Sequence, residues 1–82
     1  MLMSDPKSQI REYLERVTRH PDLRDDQAIF DEGIVNSLFA VELVLFIEKE
    51  FSVTVENDDL ELANFASIDA IATFVARKIG AA

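Results

Sequence analysis

One serine in the chain lies where its hydroxyl could be modified. Ser37 stands between an acidic turn and a long apolar segment, within the run FDEGIVNSLFAVELVLFIEKEF that begins at Phe30. A serine just before a periodic apolar run is an N-cap signal, because its oxygen can accept a hydrogen bond from a free backbone N–H of the first turn. The same position would tolerate an attached phosphate group, since the positive end of a helix favours anions. Ser37 is therefore the candidate site.

The segment after Ser37 predicts a helix that is apolar around most of its circumference. At about 100° per residue, residues 38–51 place one broad apolar face towards the core. That face consists of Ala40, Leu43, Val44, Ile47 and Phe51. The opposite side carries Leu38, Val41, Leu45, Glu42, Glu48 and Lys49, and Phe39 and Phe46 are predicted to stack together at the edge. A domain this small cannot cover such a helix completely, so we expect an exposed apolar stripe of the kind that docks protein partners.

The remaining residues lack the sets that catalysis or metal binding requires. The chain has no cysteine, which excludes disulfides and thiolate chemistry. His20, the only histidine, stands beside Pro21 at a predicted helix end, and no acid, base and nucleophile set accompanies it. The acidic run 57–59 lacks the glycine and the closing ligand of a calcium loop. We therefore predict neither an enzyme nor a metal site.

The negative charge is concentrated in one part of the chain. Eight Lys and Arg against sixteen Asp and Glu give a net charge of −8. Residues 31–61 contain nine acids and one base, Lys49, which is also −8, so the other residues balance at seven against seven. Such a surface repels nucleic acid and anionic lipid and attracts basic protein surfaces. We predict protein partners, with neither nucleic acid nor a membrane as a partner.

The chain as a whole is predicted to be one all-α domain over residues 1–82. Strand-like alternation is short, and only two Gly and two Pro occur. No run approaches the roughly 18 apolar residues of a membrane span, and residues 1–3 are too few for a secretion signal. We expect a cytoplasmic monomer.

Helical periodicity places three long helices and a short one. They are predicted over about residues 6–19, 37–51, 58–62 and 67–79. Ser4 or Asp5 is expected to cap the first helix, and Ser67 the last. The buried stripes are Ile10, Tyr13, Leu14 and Val17 in the first helix, and Ile68, Ile71, Ala72, Val75 and Ile79, flanked by Phe74, in the last. In the long loop after the first helix, apolar residues can pack back on the bundle and Gly33 can supply an unusual backbone conformation.

The motif around Ser37 resembles that of a known family. Asn36-Ser37-Leu38 is preceded by Gly33 and followed by Val41-Glu42-Leu43-Val44 and Glu48-Lys49-Glu50-Phe51. This segment resembles the (D/N)-S-L signature and second helix of acyl carrier proteins and related phosphopantetheine carrier domains. The resemblance extends over nearly the whole chain. It implies a four-helix carrier-protein bundle with three long helices, one short helix and a long loop after helix 1.

The resemblance also implies roles for these residues. A phosphopantetheinyl transferase would attach a covalent 4′-phosphopantetheine arm to Ser37, and the arm would hold an acyl or aminoacyl group as a thioester. Acyl-loading and acyl-modifying enzymes, and a polyketide synthase or related megasynthase, would then be the other partners. The residues assigned to docking are Asn36, Leu38, Phe39, Val41, Glu42, Leu45 and Glu48.

Three positions depart from the pattern of the family. Asn36 replaces the usual Asp, Phe39 replaces a frequent acidic residue, and Lys49 reverses the sign of another position. These differences predict docking that is more apolar than usual. We therefore expect dedicated partners in place of the general fatty-acid machinery.

The sequence leaves several alternatives for the cargo and one alternative to the carrier function. The chain looks most like the discrete carriers of hydroxymalonyl or methoxymalonyl extender units for polyketide pathways. It is also similar to D-alanyl carrier proteins, which share the opening Phe30-Asp31-Glu32-Gly33, and carriers of other amino acids are a further alternative. The rival from another class is an unmodified helical adaptor that binds a partner helix through Leu38, Val41 and Leu45.

Overall fold

The computed structural model describes residues 5–81, in which three α-helices and two 3₁₀ segments occur without a strand. The helices are α1 (Pro6–Thr18), α2 (Ser37–Phe51) and α3 (Ile68–Ala81). The 3₁₀ segments are Asn57–Asp59 and Leu62–Phe65. The predicted all-α class is confirmed. Ser4, the alternative cap of α1, lies outside the described residues, as do the other residues at the two ends of the predicted 1–82 domain.

The first helix begins and ends at recognisable capping residues. The Asp5 carboxylate accepts a hydrogen bond from the Ser8 N–H at 2.7 Å, which lowers the pKa of that carboxyl, and Pro6 occupies the first helical turn. Arg19 ends the helix in the left-handed conformation, with φ 56°. Val17, predicted to be buried, is 43% exposed because it lies in the last turn, where the packing of α1 ends.

The loop from residue 19 to residue 36 is packed against the helices. Leu23, Ile29 and Val35 are buried in it. Its backbone is bonded to distant parts of the chain, since the Ile29 N–H donates to the Ala66 carbonyl at 3.1 Å and the Asp25 carbonyl accepts from the Asp69 N–H at 2.9 Å. Gly33 has φ 76°, a conformation that other residues resist. This turn leads the chain directly into the start of α2.

The core lies where the loop and the three helices meet. From α1 and α2 the fully buried residues are Ile10, Leu14, Leu43 and Ile47; from α3 they are Ile68, Ile71, Phe74 and Val75. Phe74, predicted to flank the stripe of α3, is thus part of the core. Ile79, predicted to be buried, is 48% exposed because it lies in the last turn of its helix.

An aromatic stack joins α1 to the edge of α2. Phe39 and Phe46 do not stack on each other as predicted, because seven residues separate them by about 10 Å along a helix axis. The ring of Tyr13 packs between them, with ring-centre distances of 3.9 Å to Phe46 and 6.0 Å to Phe39. Burial in this position raises the pKa of the Tyr13 hydroxyl.

The short helix predicted over residues 58–62 is replaced by the two 3₁₀ segments. Leu60 interrupts the helical conformation, with φ −82° and ψ 64°. The preceding residue, Asp59, is held from several directions, since its carboxylate accepts from the Glu56 N–H at 3.0 Å and from Lys78 Nζ at 2.7 Å. Its carbonyl accepts from Asn64 Nδ2 at 2.8 Å. Side-chain bonds, and the attachment to α3 in particular, therefore set the path of this segment.

The Asp59–Lys78 contact predicts a pH dependence of stability. The hydrogen bond from Lys78, followed by that from the Glu56 N–H, lowers the pKa of the Asp59 carboxyl below its ordinary value of 3.8. A carboxyl with a lowered folded-state pKa stabilises the fold above its unfolded pKa of about 3.9, and this contribution is lost as the pH falls through the folded value. We expect Asp59→Asn to weaken the acid-side fall in thermal stability, measured by circular dichroism melts. The exposed neighbour variant Asp58→Asn is the control, and identical acid profiles for wild type and Asp59→Asn would contradict the assignment.

Candidate functional site

Ser37 is the first residue of α2, and its side chain is exposed. Asn36, and not Ser37, is the N-cap of the helix. Asn36 Oδ1 accepts a hydrogen bond from the Phe39 N–H at 2.9 Å. The N-cap role that the sequence pattern could have given to Ser37 is therefore filled by the preceding residue. The reason is the extended backbone of Asn36, with φ −131° and ψ −179°, which is the conformation of an N-cap.

The Ser37 hydroxyl consequently has no structural role that accounts for it. Within residues 5–81 it makes no hydrogen bond to another group, and the first turn of α2 contains no acidic side chain. Backbone N–H groups at a helix start that lack a partner favour an anion nearby. The side chain is accessible, chemically free and placed where a phosphate ester would be stabilised.

A groove opens beside Ser37, with a cavity volume of about 450 Å³. Ala40 and Val44 of α2 form one wall, and the chain from Leu60 to Phe65 forms the opposite wall. The complete lining consists of Phe30, Asp31, Ser37, Ala40, Val44, Leu60, Glu61, Leu62 and Phe65. The interior is mostly apolar, and the charged groups on the lining are two carboxylates.

Sequence reasoning did not find this groove. It assigned Ala40 and Val44 to the core, although both are only half-buried. The available signal was the pair Leu60 and Leu62, two large apolar residues in an acidic segment, which are 54% and 61% exposed. Asp31 and Glu61 were absent from the predicted site because no local pattern links residues thirty positions apart.

The predicted exposed stripe is present on α2. Leu38, Val41 and Leu45 are 79%, 59% and 59% exposed, and Glu42 beside them is exposed as well. This is a large apolar surface for three neighbouring residues of so small a domain. Its use for docking stays a prediction.

The side chains of the other residues assigned to docking already make contacts within the domain. Asn36 caps α2, and Phe39 is half-buried against Tyr13. Glu48 is half-buried, and its carboxylate accepts a hydrogen bond from the Val55 N–H at 2.9 Å. Glu48, which the helical wheel places on the exposed side of α2, is therefore not a freely exposed charge. Of the predicted set, Leu38, Val41, Glu42 and Leu45 have side chains that are free to meet a partner.

Among the described residues, the other polar side chains form no second site. His20 is exposed, and Asp59 is bound to Lys78. In the described part of the chain, no three acidic or histidine side chains are grouped as a metal ion would require. None of the helices between residues 5 and 81 is long and apolar enough to cross a membrane.

Comparison with models of known protein families gives a match. The family model described as "Phosphopantetheine attachment site" matches residues 8–75, which is well over half of the chain. The matched range includes Ser37, the whole of α2 and the lining of the groove. A search of curated proteins found no match.

The capping geometry predicts that substitution of Asn36 lowers stability, whereas substitution of the adjacent Ser37 has little effect. Asn36→Ala removes the acceptor for the Phe39 N–H, so we expect a loss of about 1 kcal/mol in the free energy of unfolding. Asn36→Asp keeps an equivalent acceptor and should be close to wild type. Ser37→Ala should change stability by less than about 0.5 kcal/mol, because the hydroxyl holds nothing in place. Urea denaturation measures all three, and a loss for Ser37→Ala as large as that for Asn36→Ala would show that Ser37 caps the helix after all.

Proposed function

Because the chain belongs to the phosphopantetheine attachment-site family, we propose that Ser37 is the residue that bears its 4′-phosphopantetheine arm. The protein is a carrier and not a catalyst, and the arm is its covalent cofactor. The observation that carries the assignment to Ser37 is its exposed hydroxyl at the start of α2, freed from capping by Asn36 and lying on the lining of a groove.

The proposed attachment forms an ester between Ser37 and the phosphate of the arm. Ser37 Oγ forms the new oxygen–phosphorus bond while the pyrophosphate bond of coenzyme A breaks, and the adenosine bisphosphate portion leaves. The hydroxyl proton goes to a base of the phosphopantetheinyl transferase, since no base among residues 5–81 is hydrogen-bonded to Ser37. The first turn of α2 then stabilises the new negative charge.

The chain works with a phosphopantetheinyl transferase and with enzymes that handle acyl groups. When bound, the arm supplies a terminal thiol that holds the cargo as a thioester. Ser37 fixes one end of the arm to a rigid helix, so the cargo stays at a high effective concentration for any enzyme that docks on the domain. This chain therefore holds the arm at a fixed point and presents a surface that partner enzymes recognise.

The surface proposed for docking is the exposed stripe of α2, defined as Leu38, Val41, Glu42 and Leu45. Its apolar side chains supply contact area, and the carboxylate favours a basic partner surface. The stripe begins one residue after Ser37, so an enzyme bound to it would lie directly beside the attachment point.

The proposed setting is a stand-alone carrier in the cytoplasm that serves polyketide or related secondary-metabolite biosynthesis. Support comes from the segment FDEGIVNSLFAVELVLFIEKEF, which resembles discrete carriers of hydroxymalonyl and methoxymalonyl units. The D-alanyl and other aminoacyl carriers are the alternative, supported by the shared opening at residues 30–33. An enzyme that adds an extender unit and one that adds an amino acid can be compared directly as loading partners.

Intact-mass measurement tests the attachment site. After incubation with coenzyme A and a broad-specificity phosphopantetheinyl transferase, we expect the protein to gain the mass of one phosphopantetheine. Ser37→Ala should remain folded and gain nothing. Ser8→Ala is the matched control, because Ser8 is also an exposed serine in the first turn of a helix. Absence of a gain in the wild-type protein would favour the unmodified adaptor, and a gain in Ser37→Ala would move the site elsewhere.

Charge reversal on α2 tests the docking surface. Glu42→Lys should leave the free energy of unfolding within about 0.5 kcal/mol, since Glu42 is exposed. It should slow loading by a partner enzyme at low salt, because exposed interface charges act mainly on the association rate. Glu48→Lys is unsuitable as a docking probe, since loss of its bond to Val55 should cost about 1–2 kcal/mol of stability.

The matched control for Glu42→Lys is Glu12→Lys, which reverses an exposed charge on α1. Stopped-flow or discontinuous mass measurement at several salt concentrations gives the loading rates. Equal rates for Glu42→Lys, Glu12→Lys and wild type at low salt would remove Glu42 from the docking surface.

A further inference from the structure

Asp31 and Glu61 are the two charged residues on the lining of the groove beside Ser37. We propose that they select the cargo by charge, so that an uncharged thioester group enters the groove while a group ending in a carboxylate stays in solvent. The inference rests on the proposed attachment at Ser37. It adds a specificity to the site, carried by two residues outside the attachment motif.

The groove has the size and the surface to hold a small uncharged group. Its volume of about 450 Å³ lies within the range of about 300–1,000 Å³ that is usual for small-molecule sites. Phe30, Val44 and Phe65 line it with apolar surface, and Leu60 and Leu62 stand at its exposed side. An arm attached at Ser37 starts on the lining itself. A neutral cargo that enters removes apolar surface from water on both sides.

The charges at the groove act against an anionic cargo. Within residues 5–81, no base is on its lining, and neither Asp31 nor Glu61 forms an ion pair. Lys78, which reaches this part of the chain, is bound to Asp59 at 2.7 Å. The phosphate ester on Ser37 would add a third negative charge. A carboxylate entering the groove would lose water and face like charges without a compensating partner.

The backbone of Asp31 and Glu61 lies in hydrogen-bonded turns of the fold. Asp31 lies in the turn that the Gly33 N–H closes by donating to the Phe30 carbonyl at 3.1 Å. Glu61 lies two residues after Asp59, whose side chain is bound to Lys78 of α3. The Glu61 carbonyl accepts a hydrogen bond from the Asn64 N–H at 2.9 Å. Hydrogen bonds therefore set the backbone positions from which both side chains reach the groove lining.

The size of the effect is limited by solvent. Both side chains are exposed, and exposed charge pairs change an equilibrium by about two- to fivefold each. Two such charges together would change the ratio of cargo in the groove to cargo in solvent by about four- to twenty-five-fold at low salt. A change of this size allows one cargo to lie in the groove most of the time while another lies mostly in solvent.

The selection has a consequence for the order of reactions on the carrier. A reaction that creates a carboxylate on a neutral cargo would release that cargo from the groove into solvent, where the next enzyme can reach it. A reaction that removes the carboxylate would have the opposite effect. Hydroxymalonyl and methoxymalonyl groups would be held in solvent by this rule.

Nuclear magnetic resonance of two matched cargoes tests the inference. The apo protein is loaded from propionyl-coenzyme A or malonyl-coenzyme A, whose acyl groups differ by a methyl against a carboxylate, and intact mass confirms loading. We expect larger amide shift changes at Ala40, Val44, Leu62 and Phe65 for the propionyl form, relative to the unacylated arm, than for the malonyl form. The difference should narrow at about 1 M salt, where the screening length falls to about 3 Å.

The double variant Asp31→Asn, Glu61→Gln should raise the malonyl-induced shifts towards the propionyl values. The control double variant Glu12→Gln, Glu50→Gln changes net charge by the same amount at exposed residues away from the groove lining, and should leave the difference unchanged. Equal shifts for both cargoes in the loaded wild-type protein, or no response to the groove variant, would overturn the charge selection while leaving attachment at Ser37 intact. Failure to load would overturn the proposed function and this inference with it.

Discussion

The hydrogen bond from the Phe39 N–H to the Asn36 side chain determines what the start of α2 can do. A helix start needs a side-chain acceptor, and a serine that supplies it has its oxygen occupied. With Asn36 in that role, the next residue is helical and exposed, and its hydroxyl makes no hydrogen bond to the rest of the described chain. The Gly33 turn and the bonds of the Ile29 carbonyl to the N–H groups of Ile34 and Val35 direct the chain into this arrangement.

The second constraint is that so small a domain cannot bury every side of an apolar helix. At about 100° per residue, Leu43 and Ile47 face the core, Ala40 and Val44 face the groove, and the exposed stripe follows on the other side. Ser37 falls between the groove and the stripe on this wheel. One helix therefore carries the proposed attachment point, flanked by the surface proposed for partners and by the groove proposed for the attached group.

The parts of this arrangement that follow from local patterns could be predicted from the sequence. The three long helices bury stripes with a helical period, and the exposed side of α2 follows from the excess of apolar residues on it. The predicted stack of Phe39 on Phe46 failed because a residue of another helix, Tyr13, fills the space between them. The segment around Leu60 was mispredicted because its path depends on a bond between Asp59 and Lys78, nineteen positions away. The groove could not be predicted for the same reason, since its walls come from distant segments.

The acidic residues between 31 and 61 differ in what their carboxylates contact. Glu32, Glu48 and Asp59 accept hydrogen bonds that hold loops in place, from Gln27, Val55 and Lys78 respectively. Glu42 stands on the exposed stripe, whereas Asp31 and Glu61 line the groove. A uniform acidic surface would attract any basic protein equally well. Glu42 is exposed beside the apolar side chains of the stripe, so the proposed docking combines its charge with the shape of the stripe. Under this proposal, a partner selected by charge alone would have no reason to bind next to Ser37.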